Sequence, residues 1–305
     1  MACSSSTCQS GCYKNDGGFL GQKKNEDSNG LSAPHSDFGR QIICAKCKVN
    51  EAVTGGAGGG EDSQFCAECF RYSLYGKFRF AVTSNSMISP SDKVLVAFSG
   101  GPSSRVALQF VHEMQQKAQK NLDASRNKAL PVFGVGVAFV DESLAHPIPS
   151  DEMKNAIEHI KAIVSDLAPP TMELLVTPIE GIYSDSGHGK DTLKELLDAV
   201  SDDTGKEDLL LHIRMLSLQK IAIRNGYNKL VLGSCTSRIA RHVLSATVKG
   251  KGYSLPADTQ YIDARWEIPV LLPLCDCLAQ ELTTLCQIDG LSPYDWAEII
   301  FDRAD

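Results

Sequence analysis

The chain has 305 residues, 43% hydrophobic and 22% charged, which suits one substantial α/β domain with a smaller module attached. Its longest apolar run, Val132 to Val140, is nine residues, the length of a buried strand and far short of a membrane crossing. A net charge of −7 argues against a uniformly basic nucleic-acid binder, and the first thirty residues hold neither a signal-peptide core nor the arginines of a transit peptide. The expected compartment is therefore the cytosol, with no membrane partner.

Residues 1–40, rich in Gly, Ser and Asn, read as a disordered arm. The arm carries Cys3, Cys8 and Cys12, whose spacing matches no common metal pattern. Residues 41–88 form the next unit. Cys44-Ala-Lys-Cys47 and Cys66-Ala-Glu-Cys69 are two Cys-x-x-Cys pairs with eighteen residues between them, including the glycine run Gly55–Gly60. Such pairs bring four thiolates around one tetrahedral ion, so the eleven cysteines point to metal rather than disulfides. Structural zinc in a zinc ribbon is the expectation, because four cysteines close the shell that a catalytic zinc leaves open. Phe70, Leu74, Phe78 and Val82 then recur every four residues, which predicts an amphipathic helix. Arg71, Lys77 and Arg79 interleave with its aromatics, a mixture that fits either packing with solvated basic neighbours or contact with RNA.

Residues 89–290 read as a parallel-sheet α/β domain. Strands are expected at 93–99, 131–140, 172–179, 228–233 and 268–272, and helices at 103–120, 151–166, 190–200, 206–225, 236–246 and 275–286. The first strand runs into Ser99-Gly-Gly-Pro-Ser-Ser104, where two glycines free the backbone to turn several N–H groups toward one anion at a helix N-terminus. The alternative is an ordinary tight strand-to-helix turn. Between Asp141 and Asp208 lie sixteen carboxylates and five lysines, whereas Leu209 to Ala257 holds eight Lys or Arg and no acid. The basic stretch is either a local phosphate-binding patch or a scatter of solvated side chains.

The Ser-Gly-Gly loop resembles that of the PP-loop ATP pyrophosphatases, which adenylate their substrates; Ser103 stands where that pattern has aspartate. Together with the cysteine pairs, Val137-Ala-Phe-Val-Asp-Glu142, Gly233-Ser-Cys-Thr-Ser-Arg238 and Lys249-Gly-Lys-Gly-Tyr-Ser254, it resembles the cytoplasmic tRNA 2-thiolation protein 2 family from about Ile43 to Leu291. The resemblance implies a PP-loop (adenine nucleotide alpha hydrolase-like) domain in a complex that 2-thiolates uridine 34 of tRNAs for lysine, glutamine and glutamate. It implies a heterodimer with a catalytic sister subunit, cytoplasmic tRNA 2-thiolation protein 1, and sulfur delivered by a thiocarboxylated ubiquitin-related modifier.

On that basis Ser99, Gly100, Gly101, Ser103 and Ser104 are the nucleotide-cradle residues, with ATP and Mg²⁺ placed in doubt by the missing aspartate. Arg238, Arg241, Lys249 and Lys251 are the expected tRNA contacts. A catalytic subunit's Cys-x-x-Cys pair is replaced by Lys206-Glu-Asp-Leu-Leu-Leu-His-Ile-Arg214, where nothing can transfer sulfur. Cys235 is either a relic at the sulfur-transfer position or a small core residue. The expected role is non-catalytic; the alternatives are a chain that itself adenylates a substrate and a zinc-ribbon scaffold without RNA contact. Residues 291–305 form an atypical tail, read as a helix, a splice end or a truncation.

Overall fold

The computed structural model describes residues 42–53, 64–124, 131–146, 148–186 and 189–294. The expected arm, its three cysteines, the glycine run 55–60 and residues 295–305 of the tail lie outside the described residues.

Six strands form one sheet in the order β3-β2-β1-β4-β6-β5, where β1 is Lys93–Ala97, β2 Gly134–Asp141, β3 Glu173–Pro178, β4 Lys229–Val231, β5 Ile262–Asp263 and β6 Val270–Leu271. All pairings are parallel except β5 with β6. The first strand sits centrally, with Leu95 opposite Gly136 on one side and Leu230 on the other. Strand order reverses at β1, where the chain passes from β2 and β3 on one side to β4 on the other. Ligands in such sheets bind beyond the strand C-termini at that reversal.

Burial on both faces explains why β1 is continuously apolar. Val94, Val96 and Phe98 turn to one core, shared with Phe70, Phe78 and Phe110. Leu95 turns to the other, shared with Leu218, Ile221 and Ala222 of α5 (Asp203–Arg224). The predicted amphipathic helix is α1 (Ala67–Ser84), and its Phe78 packs on Phe110 of α2 (Pro102–Ala124) with ring centroids 5.5 Å apart. Burying each such ring contributes roughly 1.5–3 kcal/mol. Two basic residues of α1 make ion pairs within the fold: Arg71 bridges Glu113 and Asp289, and Lys77 pairs with Glu281 at 2.9 Å. That same Glu281 carboxylate accepts the Leu278 N–H at the start of α8 (Ala279–Ile288).

The remaining helices are α3 (Ser150–Asp166), α4 (Gly189–Ala199), α6 (Thr236–Val248) and α7 (Leu255–Asp258), with a 3-10 helix over Ile179–Ser186. Helix α8 begins at Ala279 rather than at 275. Pro273 follows the strand, and the Cys275 and Cys277 N–H groups close turns on Leu272 and Leu274. Gly136, inside β2, makes room for Tyr227: a Cβ there would lie 2.0 Å from the phenol oxygen. Among the described residues no helix is long and apolar enough to cross a membrane.

Candidate functional site

The four expected metal-site cysteines converge. The sulfurs of Cys44, Cys47, Cys66 and Cys69 all lie within 4.8 Å of one another, and those of Cys47 and Cys66 are 3.8 Å apart. Four thiolates at a zinc–sulfur distance of about 2.3 Å in a tetrahedron are separated by about 3.8 Å, so the set fits one such ion. Local backbone structure builds the nest: Lys48 N–H bonds back to Cys44 C=O, Lys48 takes φ 56°, and Cys66 opens α1. Burial raises the Cys44 thiol, but N–H groups of Cys47, Cys66 and Lys46 outweigh it and bring it down to about 6. Cys69 is pushed up to about 12 by burial and by its three neighbouring thiols. A bound metal ion would let all four sulfurs deprotonate together.

The loop after β1 has the turn its glycines predict. Gly100 takes φ 88°, Pro102 opens α2, and the Arg105 N–H reaches Gly101 C=O at 3.0 Å. Ser104 is buried; its hydroxyl donates to Gly101 C=O at 2.9 Å and accepts the Ser99 N–H at 3.2 Å. Ser99 is exposed and Ser103 half-buried, so their hydroxyls are the reachable ones. Gly233, at the end of β4, is packed on this turn: a Cβ would lie 2.7 Å from Ser104 N and Cα. Along the chain, Tyr294 N–H closes on Gly100 C=O at 2.9 Å.

The loop forms one wall of a cavity of about 850 Å³, lined also by Arg238, His212, Trp266 and the apolar side chains of Leu218 and Val270. His212 and Trp266 have ring centroids 5.8 Å apart. Four carboxylates line it: Glu142, Asp208, Asp258 and Asp263. Each is engaged by a cation. Glu142 takes both arms of Arg214, Asp208 takes Lys249 and Lys251, and Arg265 spans Asp258 and Asp263. The Asp208 carboxyl is held below its usual range by hydrogen bonds from the two lysines. Hydrogen bonds from Arg265 likewise lower Asp263. Each of these carboxylates is committed to a protein cation, and Ser103 places a hydroxyl where the PP-loop pattern has a carboxylate.

The expected tRNA-contacting residues divide into two kinds. Lys249 and Lys251 share Asp208, a partner that lies one residue before the acid-free stretch and that a count of charges along the sequence therefore misses. Among the described residues Arg238 and Arg241, both exposed on α6, have no ion-pair partner. Arg238 is held below the ordinary arginine value, first by desolvation and then by the like charges of Arg214 and Arg241. Cys235 caps α6 and is buried in the main core; it does not line the cavity. Glu142, Asp208 and Arg265 went unrecognised as cavity residues, although the Asp-Glu pair at the end of β2 was visible as a motif.

No protein-family model matches the chain. A protein of Arabidopsis thaliana named cytoplasmic tRNA 2-thiolation protein 2 is 59% identical over 298 residues, 97% of this chain and 64% of its own length. The family resemblance holds along the chain. A protein of the same name from Oryza sativa subsp. indica is also 59% identical, over 81% of this chain and 53% of its own length. The chain thus spans between half and two thirds of the length of these relatives. Among solved structures, the U34-tRNA thiolase NcsA from Methanococcus maripaludis, described with its [4Fe-4S] cluster, superposes with a TM-score of 0.59 at 17% identity. That superposition covers 83% of this chain and 74% of the thiolase chain, and it supports the PP-loop-like α/β fold.

Proposed function

We propose that this chain is a non-catalytic, tRNA-engaging and partner-stabilising subunit of a cytoplasmic complex that 2-thiolates wobble uridine 34 in tRNAs for lysine, glutamine and glutamate. The relatives' name supports the pathway and the compartment. The observation that carries the non-catalytic reading is the charge state of the cavity: every carboxylate lining it is engaged by a cation, and the loop position that would complete a metal site is Ser103. Helix α5 carries Leu209, Leu210 and Leu211 and no cysteine in the segment where the family resemblance implies a sulfur-handling pair in a catalytic subunit. In this reading adenylation and sulfur transfer occur in a catalytic sister subunit, cytoplasmic tRNA 2-thiolation protein 1, with sulfur from a thiocarboxylated ubiquitin-related modifier.

Arg238 and Arg241 contact phosphates of tRNA, adding affinity without base specificity. The loop of Ser99, Gly100, Gly101, Ser103 and Ser104 acts as an inherited anion cradle. The four-cysteine site holds structural zinc. A 3.8 Å sulfur–sulfur approach suits one ion, whereas a four-iron cluster interposes its own irons and sulfides between ligands.

Reversal of both arginines (Arg238→Glu with Arg241→Glu) is expected to weaken tRNA binding and flatten its salt dependence by about two phosphate contacts. Unchanged affinity and slope would exclude the contact. The enzymatic alternative has its own readout, pyrophosphate released from ATP by the isolated chain. Release that Gly100→Val abolishes would replace the non-catalytic reading.

A further inference from the structure

Helix α6 ends in a rigid cap. The Gly250 N–H bonds to Thr247 C=O at 3.1 Å, the Lys251 N–H to Ala246 C=O at 2.7 Å, and Gly250 takes φ 71°. This is the two-bond glycine termination that fixes the backbone on both sides of the glycine. It sets Lys249 and Lys251 so that both ammonium groups close on one carboxylate, Lys249 on Oδ1 of Asp208 at 2.7 Å and Lys251 on Oδ2 at 2.8 Å. Two cations thus grip two oxygens of a single anion, the arrangement that the non-bridging oxygens of a phosphodiester offer. The clamp carries two positive charges against one negative, and Asp208 and Lys251 both line the cavity shared with Arg238. The side chains of Asp208 and Lys251 remain 35% and 47% exposed, so exchange of the anion requires no unfolding.

We propose that Asp208 is a resident counter-ion in an RNA-phosphate clamp, holding Lys249 and Lys251 in binding geometry until a backbone phosphate displaces it. The inference rests on the tRNA-engaging reading. Solvent-accessible pairs such as Lys251 with Asp208 contribute little to stability, and Lys249 is 23% exposed, so displacement is cheap for a polyanion that also meets Arg238 and Arg241. A lone small anion gains too little from the two lysines to replace the tethered carboxylate.

The consequence is a gain of binding on removing an acid that contacts no RNA. Asp208→Asn is expected to bind a tRNA-Lys transcript about fivefold more tightly at low salt, with a salt slope steeper by about one. Asp208→Glu keeps the pairing and binds as the native chain does. Lys249→Gln with Lys251→Gln weakens binding, and by a larger factor in the Asp208→Asn background than in the native one. If Asp208→Asn folds poorly by thermal melting, Asp208→Ser replaces it in the same cycle. Native binding with no gain from removing Asp208, or an equal lysine effect in both backgrounds, overturns the clamp alone. No tRNA binding by either protein overturns the tRNA reading along with it.

Discussion

The cysteine cluster and the cavity are opposite answers to the problem of concentrated charge. In the cysteine-pair unit, four sulfurs crowd within 4.8 Å of one another, an arrangement that could hold a metal ion. In the cavity beside Ser99–Ser104, the protein has supplied its own partners: Arg214, Lys249, Lys251 and Arg265 neutralise every carboxylate on the wall. The cysteine cluster thus has the makings of a metal site, while the cavity keeps its charge in ion pairs that the protein makes itself.

The sharpest way to break the comparison is at the ribbon. Cys66→Ser should abolish stoichiometric metal binding and disorder the ribbon, since metal-linked folding in such modules is on the order of 10 kcal/mol. Metal content and proteolysis between residues 42 and 69 check this, with the α/β domain expected to stay folded because its core is built on the sheet.

Next in size is the cavity's rigid seam. Gly233→Ala places a Cβ 2.7 Å from Ser104 backbone atoms that cannot rotate away, and should cost about 2 kcal/mol, read as a lowered Tm. Gly226→Ala meets no atom within 4 Å and suffers only its φ of 71°, so it should cost less, about 1 kcal/mol.

The smallest effect tests the join between ribbon helix and sheet. Glu113 lies between Arg71 and Lys117, and although burial acts to raise it, those two cations hold its carboxyl below the ordinary value of 4.5. A depressed carboxyl contributes stability above its unfolded value, lost as pH falls through the lower folded one. Glu113→Gln should thus lower Tm by the equivalent of about 1 kcal/mol at neutral pH, and the difference from the native chain should begin to shrink as pH falls below 4.5 and vanish once pH is below the lower folded value. A constant difference across pH would remove the ion pair as the cause.

Much of this was legible in the sequence, for local reasons. The cysteine pairs, the Ser-Gly-Gly turn and the every-fourth-residue aromatics of α1 encode their geometry within a few residues, and each took the shape expected. What stayed hidden depends on distant partners. Asp208 meets Lys249 and Lys251 across 41 and 43 residues, and Arg214 meets Glu142 across 72. A count of charges along the chain reads the segment from Leu209 to Ala257 as bare cation, whereas the fold brings acids to it from outside. The short antiparallel β5 and the single turn of α7 were hidden too, because two or four residues leave no periodicity to read.

The most direct test is the 2-thiouridine content of lysine, glutamine and glutamate tRNAs in cells lacking this protein, with the native chain or a chain lacking both Arg238 and Arg241 charges restored. The account predicts loss of 2-thiouridine without the protein, recovery with the native sequence and weaker recovery with the double variant. Normal thiolation in its absence would contradict it.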